Sequence, residues 1–116
     1  MKKTLELYNQ EFESSSGTTQ QFKTFYTTFR RELIQILKEL EATDWTFSMG
    51  HFYLSGFFKT KDEKIFYFSI SDVRHFNDKN LLIRTAENFT DYSGGSNGYV
   101  EIDKNLKESI NNIINR

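Results

Sequence analysis

The chain contains no cysteine and no proline among its 116 residues. Without thiols it forms no disulfide, no thiolate metal cage and no iron–sulfur site, and it has no cysteine nucleophile. Alanine and valine occur twice each, against 12 phenylalanines, nine leucines and nine isoleucines, so a core must be built from few, large side chains. An excess of one charge is also missing: 15 basic and 16 acidic residues give a net charge of -1. Residues 1–42 carry six of each sign, residues 43–80 five of each, and residues 81–116 four basic and five acidic. No basic tail is available for phosphates, and no acidic tail for mimicking nucleic acid by bulk charge. No apolar run approaches the roughly 18 residues of a membrane span. The start, MKKTLELYNQEFESSSG, has a Lys2-Lys3 pair but lacks the apolar stretch of a signal peptide. These absences favour a cytoplasmic protein. A chain of this mass buries about two-thirds of its extended surface on folding, enough for one core. The expectation is a single domain over residues 1–116, with 1–17 a loosely ordered N-terminal segment.

What is present reads as an α+β domain. Residues 1–12 fit a short strand or helical turn anchored by Leu5, Leu7 and Phe12, and Ser14-Ser15-Ser16-Gly17 breaks it. Thr18 or Thr19 can then cap a long helix reaching residue 41. Its apolar stripe is Phe22, Tyr26, Phe29, Leu33, Ile36/Leu37 and Leu40, broadened by Phe25 and Ile34. Strand character follows Asp44. Trp45, Phe47 and Met49 share one parity, and Phe52, Leu54 and Phe58 the other, which no uninterrupted strand can bury on one face. Gly50 lies at the change, so a turn or bulge is expected there. Lys61 to Lys64 reads as a solvated hairpin. Residues 65–71 form a second strand with Phe66, Phe68 and Ile70 on one face and Ile65, Tyr67 and Ser69 on the other. Residues 81–85 and 99–103 supply a third and fourth, separated by the turn Gly94-Gly95-Ser96-Asn97-Gly98. Residues 105–114 close as a helix with Leu106, Ile110 and Ile113/Ile114 as its apolar face. The predicted architecture is a long helix packed on a roughly four-stranded antiparallel sheet, with a C-terminal helix on the same face.

The chemical candidates are few. Asp72, Arg74 and His75 form the most polar cluster beside a strand end, read first as a surface ion pair in a turn and second as a partner contact. His51, between Gly50 and Phe52, fits a turn or strand edge. No ligand spacing suggests a metal, and no cofactor fingerprint is present: the GGSNG segment lacks the Lys-Ser/Thr pair of a phosphate loop. Arg30-Arg31 on the long helix can touch phosphate, but no basic stripe accompanies them. The strip 81–99 is richer. Arg84, Glu87, Asn88, Asp91, Tyr92 and Tyr99 border a glycine-rich turn, and tyrosine, arginine and asparagine on adaptable backbone are the materials of recognition surfaces. Asp72 and Arg74 are added to that strip as candidate partner-binding residues.

The segments FYFSISDVRHF (66–76) and LLIRTAENFTDYSGGSNGYVEID (81–103) resemble small accessory proteins of phages, plasmids and integrated elements of Gram-positive bacteria. Such proteins include inhibitors of CRISPR nucleases and other host defences. The resemblance covers about a third of the chain and implies a compact, non-enzymatic module that binds a larger bacterial protein or nucleoprotein complex. An RNA- or DNA-binding accessory protein and a small enzyme of unassigned reaction class are the alternatives.

Overall fold

The structure is a computed structural model that describes residues 1–8, 20–74, 80–92 and 94–116. It is the expected α+β domain with one strand more than the sequence reading counts. Helices α1 (Lys2–Tyr8) and α2 (Gln20–Glu39) precede strands β1 (Asp44–Met49), β2 (Leu54–Lys59), β3 (Ile65–Ile70), β4 (Leu81–Ala86) and β5 (Asn97–Val100), and α3 (Leu106–Ile114) ends the chain. The five strands pair antiparallel in sequence order. Phe12, the break at 14–17 and the candidate caps Thr18 and Thr19 lie outside the described residues.

The parity reversal at Gly50 resolves into a complete hairpin. Residues 45–58, read as one interrupted strand, are β1 and β2 joined by residues 50–53, with Met49 opposite Leu54. Phe52 makes the turn at φ 57, a left-handed conformation unfavourable for a bulky side chain, and its ring is fully buried. Burial of that ring opposes the conformational cost. The final strand also begins earlier than expected, at Asn97 instead of Tyr99, and ends at Val100. Glycine and asparagine weaken strand propensity, but β4 supplies a template on which they pair.

In α2 the buried residues are Phe22, Phe25, Thr28, Phe29, Leu33, Ile36 and Leu37. Phe25 and Thr28 therefore belong to the stripe, whereas Tyr26 and Leu40 pack only partly against the core. Two backbone bonds end the helix, Glu41 N–H to Lys38 C=O at 3.0 Å and Ala42 N–H to Leu37 C=O at 2.9 Å. They make a Schellman cap with Glu41 in the left-handed position usually held by glycine (φ 64). Lys61 of the β2–β3 hairpin meets the Glu41 carboxylate at 2.6 Å. The strand alternation of β3 is as read, with Phe66, Phe68 and Ile70 buried beneath the helices. Leu106, Ile110 and Ile114 of α3 complete the same core.

The N-terminal helix is fastened to α2. Tyr8 packs edge-on against Phe25 with centroids 4.9 Å apart. Burial pushes the Tyr8 hydroxyl up to about 12, Asn80 opposing and the Asp72 carboxylate adding to the shift. Thr4, fully buried, donates its N–H and its hydroxyl to Glu32 Oε1 at 2.8 and 2.5 Å. Burial raises the Glu32 pKa, but the Thr4 bonds, the Met1 ammonium and the Lys3 N–H outweigh it and hold the carboxyl below its usual value. A depressed carboxylate pKa contributes stability above the ordinary carboxylate range and loses it as pH falls through the lowered value. At pH 7 Glu32→Gln should therefore lower the urea midpoint, and the gap between the two proteins should narrow as pH falls through and below the ordinary carboxylate range. A constant gap across that range would show that the charge of Glu32 contributes nothing.

Candidate functional site

The three described helices pack into one core on one side of the sheet, so among the described residues the other face is left to the strands and their loops. Its central row is Thr46, Phe57, Tyr67, Arg84 and Asn97, each opposite the next across β1 to β5. A phenylalanine at the middle of an open face exposes a large apolar area unless something covers it. Phe57 is nevertheless only 2% exposed and lies outside the helix-side core. Its cover comes from the β4–β5 connection. The Phe89 ring stacks on Phe57 at 5.7 Å between centroids and 13° between planes. Tyr92 meets the same ring edge-on at 5.3 Å, and Tyr67 packs beside it at 5.2 Å. A second, small aromatic core thus sits on the helix-free face.

The connection is held in place by its own polar groups. Asp91 accepts from the Glu87 N–H through Oδ2 and from the Gly94 N–H through Oδ1, each at 3.0 Å. Asn88 Oδ1 accepts from the Thr90 N–H and hydroxyl at 2.8 and 2.7 Å. Thr85 Oγ1 accepts from the Ser96 N–H at 2.8 Å. Gly95 takes φ 88, and a Cβ there would stand 1.8 Å from the Thr85 carbonyl oxygen, so only glycine allows the chain to return so close to β4. These bonds fold the loop around a concavity of about 660 Å³ lined by Thr85, Ala86, Glu87, Asn88, Thr90, Asp91, Gly94 and Gly95.

Arg84 joins loop to sheet. Its guanidinium lies 4.6 Å from the Tyr67 ring centroid and donates to the Tyr92 carbonyl. The side chain is half-buried, and its Nε is buried with no acceptor among the described residues. Tyr92, by contrast, is 61% exposed although its ring contacts Phe57 and Tyr67. Tyr99 stands on the same face opposite Leu82 and is 57% exposed. Arg84, Glu87, Asn88, Asp91 and Tyr92 therefore meet at one place, with Tyr99 on the neighbouring edge strand.

Asp72 and Arg74 are elsewhere. They follow the far end of β3, whereas the Arg84–Tyr92 connection rises from the opposite end of the adjacent strand. Arg74 donates its N–H and Nε to Asp72 Oδ1 at 2.9 and 3.0 Å and its terminal nitrogen to Oδ2 at 2.7 Å. The guanidinium also covers the Phe52 ring at 4.3 Å. This is an ion pair built into a turn and packed on the helix-side core, so the surface that joined residues 72 and 74 to the 84–92 strip divides in two. His75 lies outside the described residues. His51 is exposed beside Phe52 in the β1–β2 turn. Among the described residues no three histidine or carboxylate side chains gather to hold a metal ion, and no helix is long and apolar enough to cross a membrane.

Phe57, Tyr67 and Phe89 are the members of the site that sequence reasoning missed. The signal is in the sequence: Tyr67 lies on the outward parity of β3, and Phe57 on the outward parity of β2 follows from Leu54 and Phe58 facing in. No family model matches the chain, and neither a curated protein nor a solved structure matches it.

Proposed function

We propose that this chain is a protein-binding module that occludes a larger bacterial protein through the helix-free face of its sheet, with Tyr92 and Tyr99 as anchors. The observation that carries the reading is the pairing of two highly exposed tyrosines with a fixed base beneath one of them. Tyrosine offers broad apolar contact and a hydroxyl at low ordering cost. The Asp91, Asn88 and Arg84 bonds fix residues 87–92 of the β4–β5 connection before any partner arrives, which reduces the entropy lost on association. Arg84 contributes by positioning Tyr92, since its guanidinium is already engaged by the Tyr92 carbonyl and the Tyr67 ring. Action by occupancy, in the bacterial cytoplasm, needs no catalytic group. The resemblance of residues 66–76 and 81–103 to anti-defence proteins of mobile elements makes a defence nuclease such as a CRISPR effector the first target class to test.

Capture of a partner from bacterial lysate, followed by titration with the purified partner, tests the reading. Tyr92→Ala and Tyr99→Ala should each weaken binding by about 1–4 kcal/mol while far-ultraviolet circular dichroism stays parental. Undiminished affinity in the folded double variant, or saturable recovery of nucleic acid with no protein, would contradict it.

A further inference from the structure

The two edges of the sheet are finished differently. β5 is four residues long, and its outward Asn97 carbonyl accepts from the Arg116 guanidinium at 3.2 Å. β1 is six residues long, DWTFSM, and carries none of the lysines, prolines or inward charges that commonly blunt an edge. The bond from the Gly50 N–H to the Tyr53 carbonyl, 3.0 Å, sets the alternation of this hairpin. Residues 44, 46 and 48 turn their backbone groups toward β2, and residues 45, 47 and 49 turn theirs outward. The Trp45 N–H is met by its neighbour's carboxylate, Asp44 Oδ1, at 2.9 Å. The Phe47 N–H and C=O have no partner among the described residues.

We infer that this edge pairs with β1 of a second copy of the chain about a two-fold axis at Phe47, forming a continuous ten-stranded sheet. Only the odd-numbered residues present outward backbone groups, so the hydrogen-bonded pairs across the seam must join odd to odd. The symmetric register sets Phe47 opposite Phe47 and Trp45 opposite Met49, where the Trp45 N–H exchanges Asp44 Oδ1 for the Met49 carbonyl of the second copy. These are the apolar residues of the strand: Trp45 and Phe47 are half-buried in one copy, and Met49 is 41% exposed. The even positions then set Thr46 opposite Ser48, two small hydroxyl side chains on the other face. Asp44, the sole charge of β1, falls opposite Gly50, so no like charges meet within the strand seam. An unrelated extended segment could use the free backbone but would not find this side-chain match, which is the self-complementarity of a two-fold interface.

An opposing contact lies above the seam. Arg30 is 5.3 Å from the Phe47 ring centroid, and the axis brings the two guanidiniums near each other, so added salt should strengthen association. Because the axis is perpendicular to the sheet, both helix layers lie on one side of the dimer and both Tyr92–Tyr99 surfaces on the other. A partner with two equivalent sites would then be held bivalently.

Sedimentation equilibrium of the full chain from about 1 to 500 μM tests the pairing. The mean mass should rise from 13.8 kDa toward twice that value. Thr46 and Ser48 are exposed, and both double variants lose the 3.1 Å contact between the Ser48 and Ser55 hydroxyls alike, so the comparison between them isolates the seam. The double variant T46K/S48K sets lysine opposite lysine twice across the seam and should weaken association by about tenfold. T46K/S48E instead sets lysine opposite glutamate and should associate at least as well as the parent. A single 13.8 kDa species over the whole range would overturn the inference, and so would equal weakening by both double variants.

Discussion

Phe29→Asp should remove the cooperative urea transition or lower its midpoint by about 2 M. Phe29 is fully buried on α2, with the Phe25 ring stacked at 6.1 Å between centroids. An aspartate placed there loses the dispersion contacts of the ring and sets a carboxylate among apolar neighbours. Ionised, it is unsolvated; protonated, its pKa must be raised well above 7, and either state costs several kcal/mol. Since domains of this size are stable by about 5–15 kcal/mol, one such substitution removes much or all of the margin. Phe29→Leu is the control, because it keeps the site apolar and should cost about 1–2 kcal/mol. Equal midpoints for the aspartate variant and the parent would mean that α2 does not pack on the sheet through this stripe.

Gly56→Ala should destabilise the domain by about 3 kcal/mol, although it adds a single methyl group. Gly56 lies on β2, paired on both sides, opposite Phe47 on β1 and Phe68 on β3. The two flanking rings close over it edge to face, with centroids 5.1 Å apart. A Cβ there would stand 2.6 Å from Phe68 Cζ and 2.0 Å from the Thr46 carbonyl oxygen. The ring can swing only by opening a gap in the core. The carbonyl belongs to the β1 backbone and can move only by distorting the β1–β2 ladder. Gly56 therefore lets two large residues share the row of a third, in a core that has few small side chains to offer. Urea unfolding of Gly56→Ala measures the effect, and a shift below about 0.5 kcal/mol would show that the sheet accommodates the methyl group.

The two predictions also mark what was legible in the sequence. Period is a one-dimensional property, so the stripe from Phe22 to Leu37 and the alternation of Ile65 to Ile70 could be read directly. So could the break at Gly50, because two runs of opposite parity cannot share a face. Whether that break was a bulge or a hairpin depended on Phe52, whose left-handed backbone is unfavourable in isolation and is offset by the burial of its ring against Phe22. Contacts that cross from one element to another were not legible. Nothing local in LSGFFK says that Gly56 fits beneath two rings from neighbouring strands, or that Phe57 is covered by Phe89 and Tyr92 more than thirty residues away. The candidate residues of the 84–92 strip stand out in the sequence by their chemistry. Most of that chemistry is spent internally: Asp91 and Asn88 fix the loop, and Arg84 binds the backbone of the residue it was expected to accompany. Asp72 and Arg74 also follow a strand, but successive antiparallel strands have their equivalent ends on opposite sides of the sheet, so they do not join that strip.

The most direct test of the docking surface is site-specific photocrosslinking in bacterial lysate, with benzoylphenylalanine placed at position 92 of the helix-free face or at position 31, an exposed position of α2. Position 92 should give a discrete protein adduct that excess unlabelled chain suppresses, and position 31 should give none. A competed adduct from position 31 but not from 92, or adducts with nucleic acid alone, would contradict the account.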